Sequence, residues 1–426
     1  MRHPVGLIVA GVVLTALVGA QAEEATWVSL FDGKTLTGWQ EVGGGKWSVQ
    51  NGCIVGERGD GRYGWLCTDK TYANFILELK LKTEAPGNSG VQFRSHVIDG
   101  EMKGWQGDLA PEQGGETGSV YEEGGTRGWL ARAGPEGKAA FKPGEWNTYQ
   151  IRAIENRIET RINGVTCVTL EDERAVSGIV ALQVHSGDTP VRVLWKDIRI
   201  LDLGYGKPGD PEAGWQPLFN GKDLSGWVNY GQERFTVEGG DIVGEAVTQA
   251  YGYLGTEKTF TDFEARCRFR AEGEGNSGLF FHSTIQGVDI TGVQAEIDPH
   301  VGTHTAGLYE AGGRGWIAMP TADAEKLLDP KGWNDLRVIC KGNHTITYLN
   351  GLKAVDFTDD QPKYTDGIIA LQLHSGGGAK VRWGDIYVRE DGRYDPGNAG
   401  GSGCGHHLRG LGRTPTARSG FITPGV

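Results

Sequence analysis

Past residue 22 the sequence offers no apolar run near the ~20 residues that cross a bilayer, so no later segment reads as a membrane span. Cysteine is scarce. The six residues Cys53, Cys67, Cys167, Cys267, Cys340 and Cys404 include no CxxC or Cys/His spacing, which sets aside a zinc site and a dense disulfide framework while leaving one or two bridges open. Basic charge is also short, with 42 Lys and Arg against 54 Asp and Glu and a net charge of -12. No Lys/Arg cluster forms the footprint that a nucleic-acid partner requires. Long amphipathic helical patterns are lacking as well.

What is abundant is glycine, 70 residues, together with 13 tryptophans. Many short strands joined by tight turns have this composition, the signature of an all-β chain. At the start, Arg2 and His3 precede an apolar run from Val5 to Val18 that closes on Ala20-Gln21-Ala22. That pattern is expected of a cleaved signal peptide over residues 1–22, and hence of an exported protein of the periplasm or cell surface.

The sequence repeats itself once. Leu30-Phe31-Asp32-Gly33-Lys34 through Gly38-Trp39 returns as Leu218-Phe219-Asn220-Gly221-Lys222 through Gly226-Trp227. Asn88-Ser89-Gly90 recurs at Asn276-Ser277-Gly278, Trp146-Asn147 at Trp333-Asn334, and Asn163-Gly164 at Asn350-Gly351. Ala181-Leu182-Gln183-Val184-His185-Ser186-Gly187 recurs at Ala370-Leu371-Gln372-Leu373-His374-Ser375-Gly376. So long a period, used twice, means a duplicated globular domain and not a solenoid. The cysteines have no cysteine counterparts across the copies, which favours small buried thiols.

Phe75 to Lys82 alternates apolar and charged residues, as a half-buried strand does. Asn163-Gly164 predicts a two-residue hairpin turn, since both of its positions need positive φ. The expectation is an all-β chain of two tandem jelly-roll sandwiches. The copies span 26–204 and 214–391, joined by a Gly/Pro linker over 205–213 and followed by a disordered tail over 392–426.

In their order, Leu30 to Trp39, Asn88 to Arg94, Gly104 to Leu109, Gly144 to Tyr149, Asn163 to Val165, Leu182 to Gly187 and Asp197 to Ile200 resemble a bacterial family, the 3-keto-disaccharide hydrolase domain. Both copies match over nearly their whole length. The resemblance implies a concanavalin-like fold with glycans bound on a concave sheet face. It also implies a substrate class, glycosides oxidised to a ketone at sugar carbon 3. Such a ketone acidifies the hydrogen on carbon 2, so the chemistry needs a base, a donor or cation at the ketone oxygen, and an acid for the leaving group.

Candidates for these roles are Asp108 and Glu296 as bases, His185 and His374 as alternative bases or acids, and Arg94, Arg127 and Arg314 as groups that polarise the ketone, with His282 standing where copy one has Arg94. Candidate substrate-binding residues are Asn88, Gln106, Tyr121, Glu122 and Trp129, and in copy two Asn276, Gln294, Tyr309, Glu310 and Trp316. Gln106 and Asp108 lie two apart in an expected strand and so share a face, as do Gln294 and Glu296. Large aromatics such as Trp129 and Trp316 more often fill a sandwich core than stack on sugar. Arg94 to His282, Asp108 to Glu296 and Trp105 to Val293 change charge, reach and bulk, so the two copies are expected to differ in preference. No spacing identifies a metal site, although a divalent metal fits the composition of such clefts.

The rival reading is a non-catalytic tandem carbohydrate-binding protein, in which duplication adds avidity. A glucanase of the same fold would carry Glu, Asp and Glu at near-alternate positions of one strand, and neither Gln106 to Pro111 nor Gln294 to Pro299 does.

Overall fold

The computed structural model describes residues 26–112, 115–204 and 214–390. The expected signal peptide, linker and tail, and Cys404, lie outside those residues.

Each copy is a pair of antiparallel sheets packed face to face. In copy one the back sheet runs in the order Val165–Glu171, Arg157–Ile162, Asn147–Ile154, Asn74–Thr83, Arg192–Gly204, Cys53–Glu57, Lys46–Gln50, with Trp27–Ser29 added on Arg192–Gly204. The front sheet runs Trp129–Ala131, Val120–Glu123, Glu101–Leu109, Ser89–Ile98, Gly178–Val184, Gly64–Tyr72, Trp39–Gly43. Copy two repeats both orders, its front sheet centred on Gly367–Leu373, Ser277–Gln286 and Asp289–Ile297. Helix is confined among the described residues to Pro135–Ala140 and Ala322–Glu325, and none is long and apolar enough to cross a membrane.

The period-2 pattern decides what is inside. Phe75, Leu77, Leu79 and Leu81 point from the back sheet into the core, where they join Val91, Phe93, Trp105 and Leu182 from the front sheet. Asn163 and Gly164 take φ of 49° and 84°, and Asn350 and Gly351 repeat this at 48° and 86°, as the hairpin turn demands. Cys53, Cys67, Cys167, Cys267 and Cys340 are buried free thiols.

The copies meet directly. Val176 N donates to Gly351 O at 2.7 Å and Lys353 N to Arg174 O at 2.9 Å, which ties a loop of copy one to the edge of copy two. Beside this, Glu155 of copy one faces Arg337 at 3.4 Å and Arg389 at 3.5 Å, and both arginines also pair with Glu264.

Candidate active site

The outward face of each front sheet is polar, yet it is nearly closed to solvent. Register sets its members. Gln106 stands opposite both Gln92 and Tyr121, while Asp108 stands opposite Gly90, which in turn faces Gln183. Phe93 and Trp105, one residue out of step, point into the core instead. A side chain at Gly90 would bring its Cβ within 2.6 Å of the Gln106 amide, and Gly278 bears the same relation to Gln294. Glycine there lets the amide lie flat across the neighbouring strand.

The glutamine amide directs its N–H toward the carboxylate two residues on. Asp108, 4% exposed, accepts from Asn88 Nδ2 at 3.1 Å and Gln106 Nε2 at 3.3 Å. Glu296, 5% exposed, accepts from Asn276 Nδ2 and from Gln294 Nε2, the latter at 2.5 Å. Burial pushes both carboxyls up to about 7, against the lowering effect of the amide donors. Asp298, which shares the Asn276 amide at 3.2 Å, pushes Glu296 in the same direction as burial.

His185 and His374 stand at the ends of their strands. His185 Nδ1 lies 2.9 Å from Ser186 O and Nε2 lies 3.2 Å from Tyr63 Oη. His374 repeats both distances with Ser375 and Tyr251. A ring nitrogen facing a carbonyl carries the hydrogen, so Nε2 is the acceptor for the phenol. In copy two these groups line one cleft of about 450 Å³ that includes Asn276, Gln294, Glu296, Tyr309, Trp316, Gln372 and His374. Gln183 Oε1 and Gln372 Oε1 are buried without a hydrogen-bond partner on this face, acceptors ready for a ligand hydroxyl.

Not every expected residue is here. Arg94 is wholly buried between the sheets, donating from Nε to Ala73 O at 2.8 Å, from Nη1 to Glu155 O at 2.5 Å and from Nη2 to Asn74 Oδ1 at 3.1 Å. Its φ of 44° sits in a register shift between Phe93 and His96, and this bulge turns inward a residue that simple alternation would place on the cleft. His282, φ 47°, makes the same turn and bonds Thr261 O at 2.7 Å. Glu122 and Glu310 alternate away from Tyr121 and Tyr309, and they hold Arg127 and Arg314 in ion pairs shared with Asp172 and Asp359. These six residues serve the scaffold, because their polar groups are engaged by partners outside the cleft. Trp129 and Trp316, by contrast, are 36% and 38% exposed, edge-on to Tyr121 and Tyr309, so the core position expected of large aromatics is replaced by a rim position.

Other residues of this face went unforeseen. Gln183 and Gln372 lie two before His185 and His374 in the repeated segment, so the period that joined Gln106 to Asp108 points to them too. Tyr63 and Tyr251 share a Tyr-Gly-aromatic repeat. Glu123, held by Gln183 Nε2 at 3.0 Å and raised by burial, has no counterpart in copy two, where Ala311 stands in its place. Among the described residues no group of three or more His, Cys, Asp or Glu is arranged to hold a metal ion.

The chain is similar over part of its length to several known proteins. A curated 3-keto-disaccharide hydrolase of Bacteroides thetaiotaomicron is 33% identical over 95 residues, 20% of this chain; the chain spans a third (33%) of that relative's length. A Bacillus subtilis protein of unknown function with a galectin-like fold is 18% identical over 41% of this chain and 94% of its own, with a TM-score of 0.35. The carbohydrate-binding module CBM66 from Bacillus subtilis is 18% identical over 39% and 96%, with a TM-score of 0.32. The model of the 3-keto-alpha-glucoside-1,2-lyase-like domain matches residues 26–201 and again 214–389, the two sandwiches described above. The chain belongs to that family and carries its domain twice.

Proposed function

We propose that this chain cleaves glycosidic bonds of 3-keto sugars by elimination and hydration. One observation carries the reading: each copy buries a carboxylate between two amide donors on a polar face, and burial brings its pKa to about 7. A base of that strength operates near neutrality. Asp108 or Glu296 takes the proton from carbon 2, and the C–H electron pair becomes the double bond to carbon 1. The bond from carbon 1 to the glycosidic oxygen breaks, its electron pair leaving with that oxygen. Tyr63 or Tyr251 protonates the departing oxygen, and a protonated His185 or His374 resupplies the phenol. Water then adds across the double bond, its hydroxyl to carbon 1 and its remaining proton back to the imidazole, while carbon 2 regains a proton from the carboxyl. With Arg94, Arg127 and Arg314 engaged elsewhere, the developing enolate falls to amide and phenol donors.

A second reading, tandem carbohydrate binding without cleavage, is favoured by the density of amides, since Asn88, Gln92, Gln106 and Gln183 form an array suited to reading sugar hydroxyls. Incubation with a 3-keto disaccharide and with its unoxidised parent, each with and without chelator, separates the readings. Release of the second sugar from the oxidised substrate alone supports the enzyme, and chelator sensitivity adds a metal. Binding without cleavage supports the alternative.

We also propose export, on the strength of Arg2, the Val5 to Val18 run and Ala20-Gln21-Ala22. Amino-terminal sequencing of the protein from its host is the check, with a start at Glu23 expected.

A further inference from the structure

The duplicated sheet is its own control. The Asn–Gln–carboxylate group sits at one end of each cleft; from its glutamine, which pairs across the strands with Gln92 in copy one and Phe280 in copy two, the face runs back to Met102 or Ile290, six residues before the carboxylate. There the copies part company. Copy one has Gln92, Met102 and Glu123, where copy two has Phe280, Ile290 and Ala311. Gly100 is replaced by Val288, which is 36% exposed at the mouth.

The replacements extend a platform that both copies have. Tyr251 and Tyr253 stack with their planes 8° apart and ring centroids at 6.2 Å, as Tyr63 and Trp65 do in copy one at 11° and 5.5 Å, and in copy two alone Phe280 adds a third ring, edge-on to Tyr253 at 5.9 Å. Phe280, Tyr253, Ile290, Val288 and Ala311 line the same cleft as Glu296 and His374. In copy one an apolar group at this place would cover the Glu123 carboxylate and its bond from Gln183, at the cost of desolvating both.

We propose that the apolar part of the second cleft, from Phe280 beside Gln294 to Ile290, is a subsite for a flat aromatic aglycone, and that the first cleft lacks it. The position of the sugar, over Glu296 and His374, rests on the glycoside-cleaving reading above. A sugar ring there leaves the group on its glycosidic oxygen facing Tyr253, Phe280 and Ile290, where a planar ring meets aromatic edges and faces. The first copy, with Gln92 and Glu123, is left to polar aglycones.

The test is equilibrium binding to the full mature chain carrying Asp108→Asn and Glu296→Gln, so that nothing is turned over. Four ligands are compared: phenyl and methyl 3-keto-α-glucoside and their two unoxidised parents. The oxidised-to-parent ratio reports on the sugar assignment, and the phenyl-to-methyl ratio reports on the subsite, so the two can fail separately. Phenyl is expected to exceed methyl by roughly ten-fold at one site per chain, the worth of burying much of one ring. Phe280→Gln with Ala311→Glu should bring that ratio to about one. Val288→Asp, at an exposed position that leaves the core untouched, should lower it as well. A phenyl-to-methyl ratio near one in the starting cleft, or a ratio that both variants leave unchanged, overturns the subsite.

Discussion

Tyr63 Oη lies 3.2 Å from His185 Nε2, and Tyr251 stands at the same distance from His374. The copies diverge at the carboxylate, the bulge and the far wall of the cleft, yet this pair is kept with its carbonyl anchor on Nδ1. Direction follows from the anchor. With Nδ1 donating to the serine carbonyl, Nε2 of the neutral ring accepts from the phenol; when Nε2 also carries a proton it donates to the phenol oxygen instead, and the phenol hydrogen is free to pass to a group in the cleft.

Replacing both phenols (Tyr63→Phe with Tyr251→Phe) should therefore lower kcat by about 10²-fold for an alcohol leaving group, the usual worth of a general acid. A nitrophenol leaving group needs no such help and should lose little. Equal losses on the two substrates would remove tyrosine from the acid role.

The buried carboxylates are expected to matter more. Asp108→Asn together with Glu296→Gln should reduce turnover of a 3-keto disaccharide by about 10²–10⁴-fold while leaving the far-ultraviolet circular dichroism unchanged. The single variants assign the share of each copy. Unaltered rates in both singles and in the double would end the assignment.

Their titration gives two pH signatures of opposite kind. Turnover should rise with pH through about 7 as the bases ionise. Stability should move the other way. The folded carboxyls hold protons up to about 7 that the unfolded chain releases near 3.8 and 4.5, so their contribution is intact below about 4 and erodes as pH climbs to about 7. Melting curves across that window should show a smaller decline for the Asn/Gln double variant than for the parent.

Arg94 separates fold from chemistry. Arg94→Ala strands the carbonyls of Ala73 and Glu155 and should cost about 3 kcal/mol of stability, within the range for removing several buried partners. The rate per folded molecule should be unchanged at a temperature where the variant remains native. A specific loss of kcat there would return Arg94 to the site.

Why that residue misleads a reader of the sequence is instructive. Alternation from Gln92 places Arg94 on the cleft, and only the left-handed backbone at the bulge turns it inward; an arginine gives no sign of this in advance, as a glycine would. Arg127 and Arg314 mislead differently, because which acid an arginine pairs with depends on strands brought together only by folding. The sandwich itself was legible, since the core strands alternate and the duplication states each strand twice. The Asn–Gln–carboxylate group was legible for the same reason of period. Glu123 leaves no mark in the repeat, because copy two has Ala311 in its place.

The junction between the copies has an evolutionary edge. It is head to tail: Glu155 of the first presents its carboxylate to Arg337 and Arg389 of the second. A contact of that polarity, if both units carried both halves, would add a third unit to the second and grow into an open-ended fibre. Here Gly342 occupies the place of Glu155, with its N–H on Asp262 as the Glu155 N–H is on Asn74, and Gln150 occupies the place of Arg337. Each copy keeps one half of the fastener, and polymerisation through it stops at two.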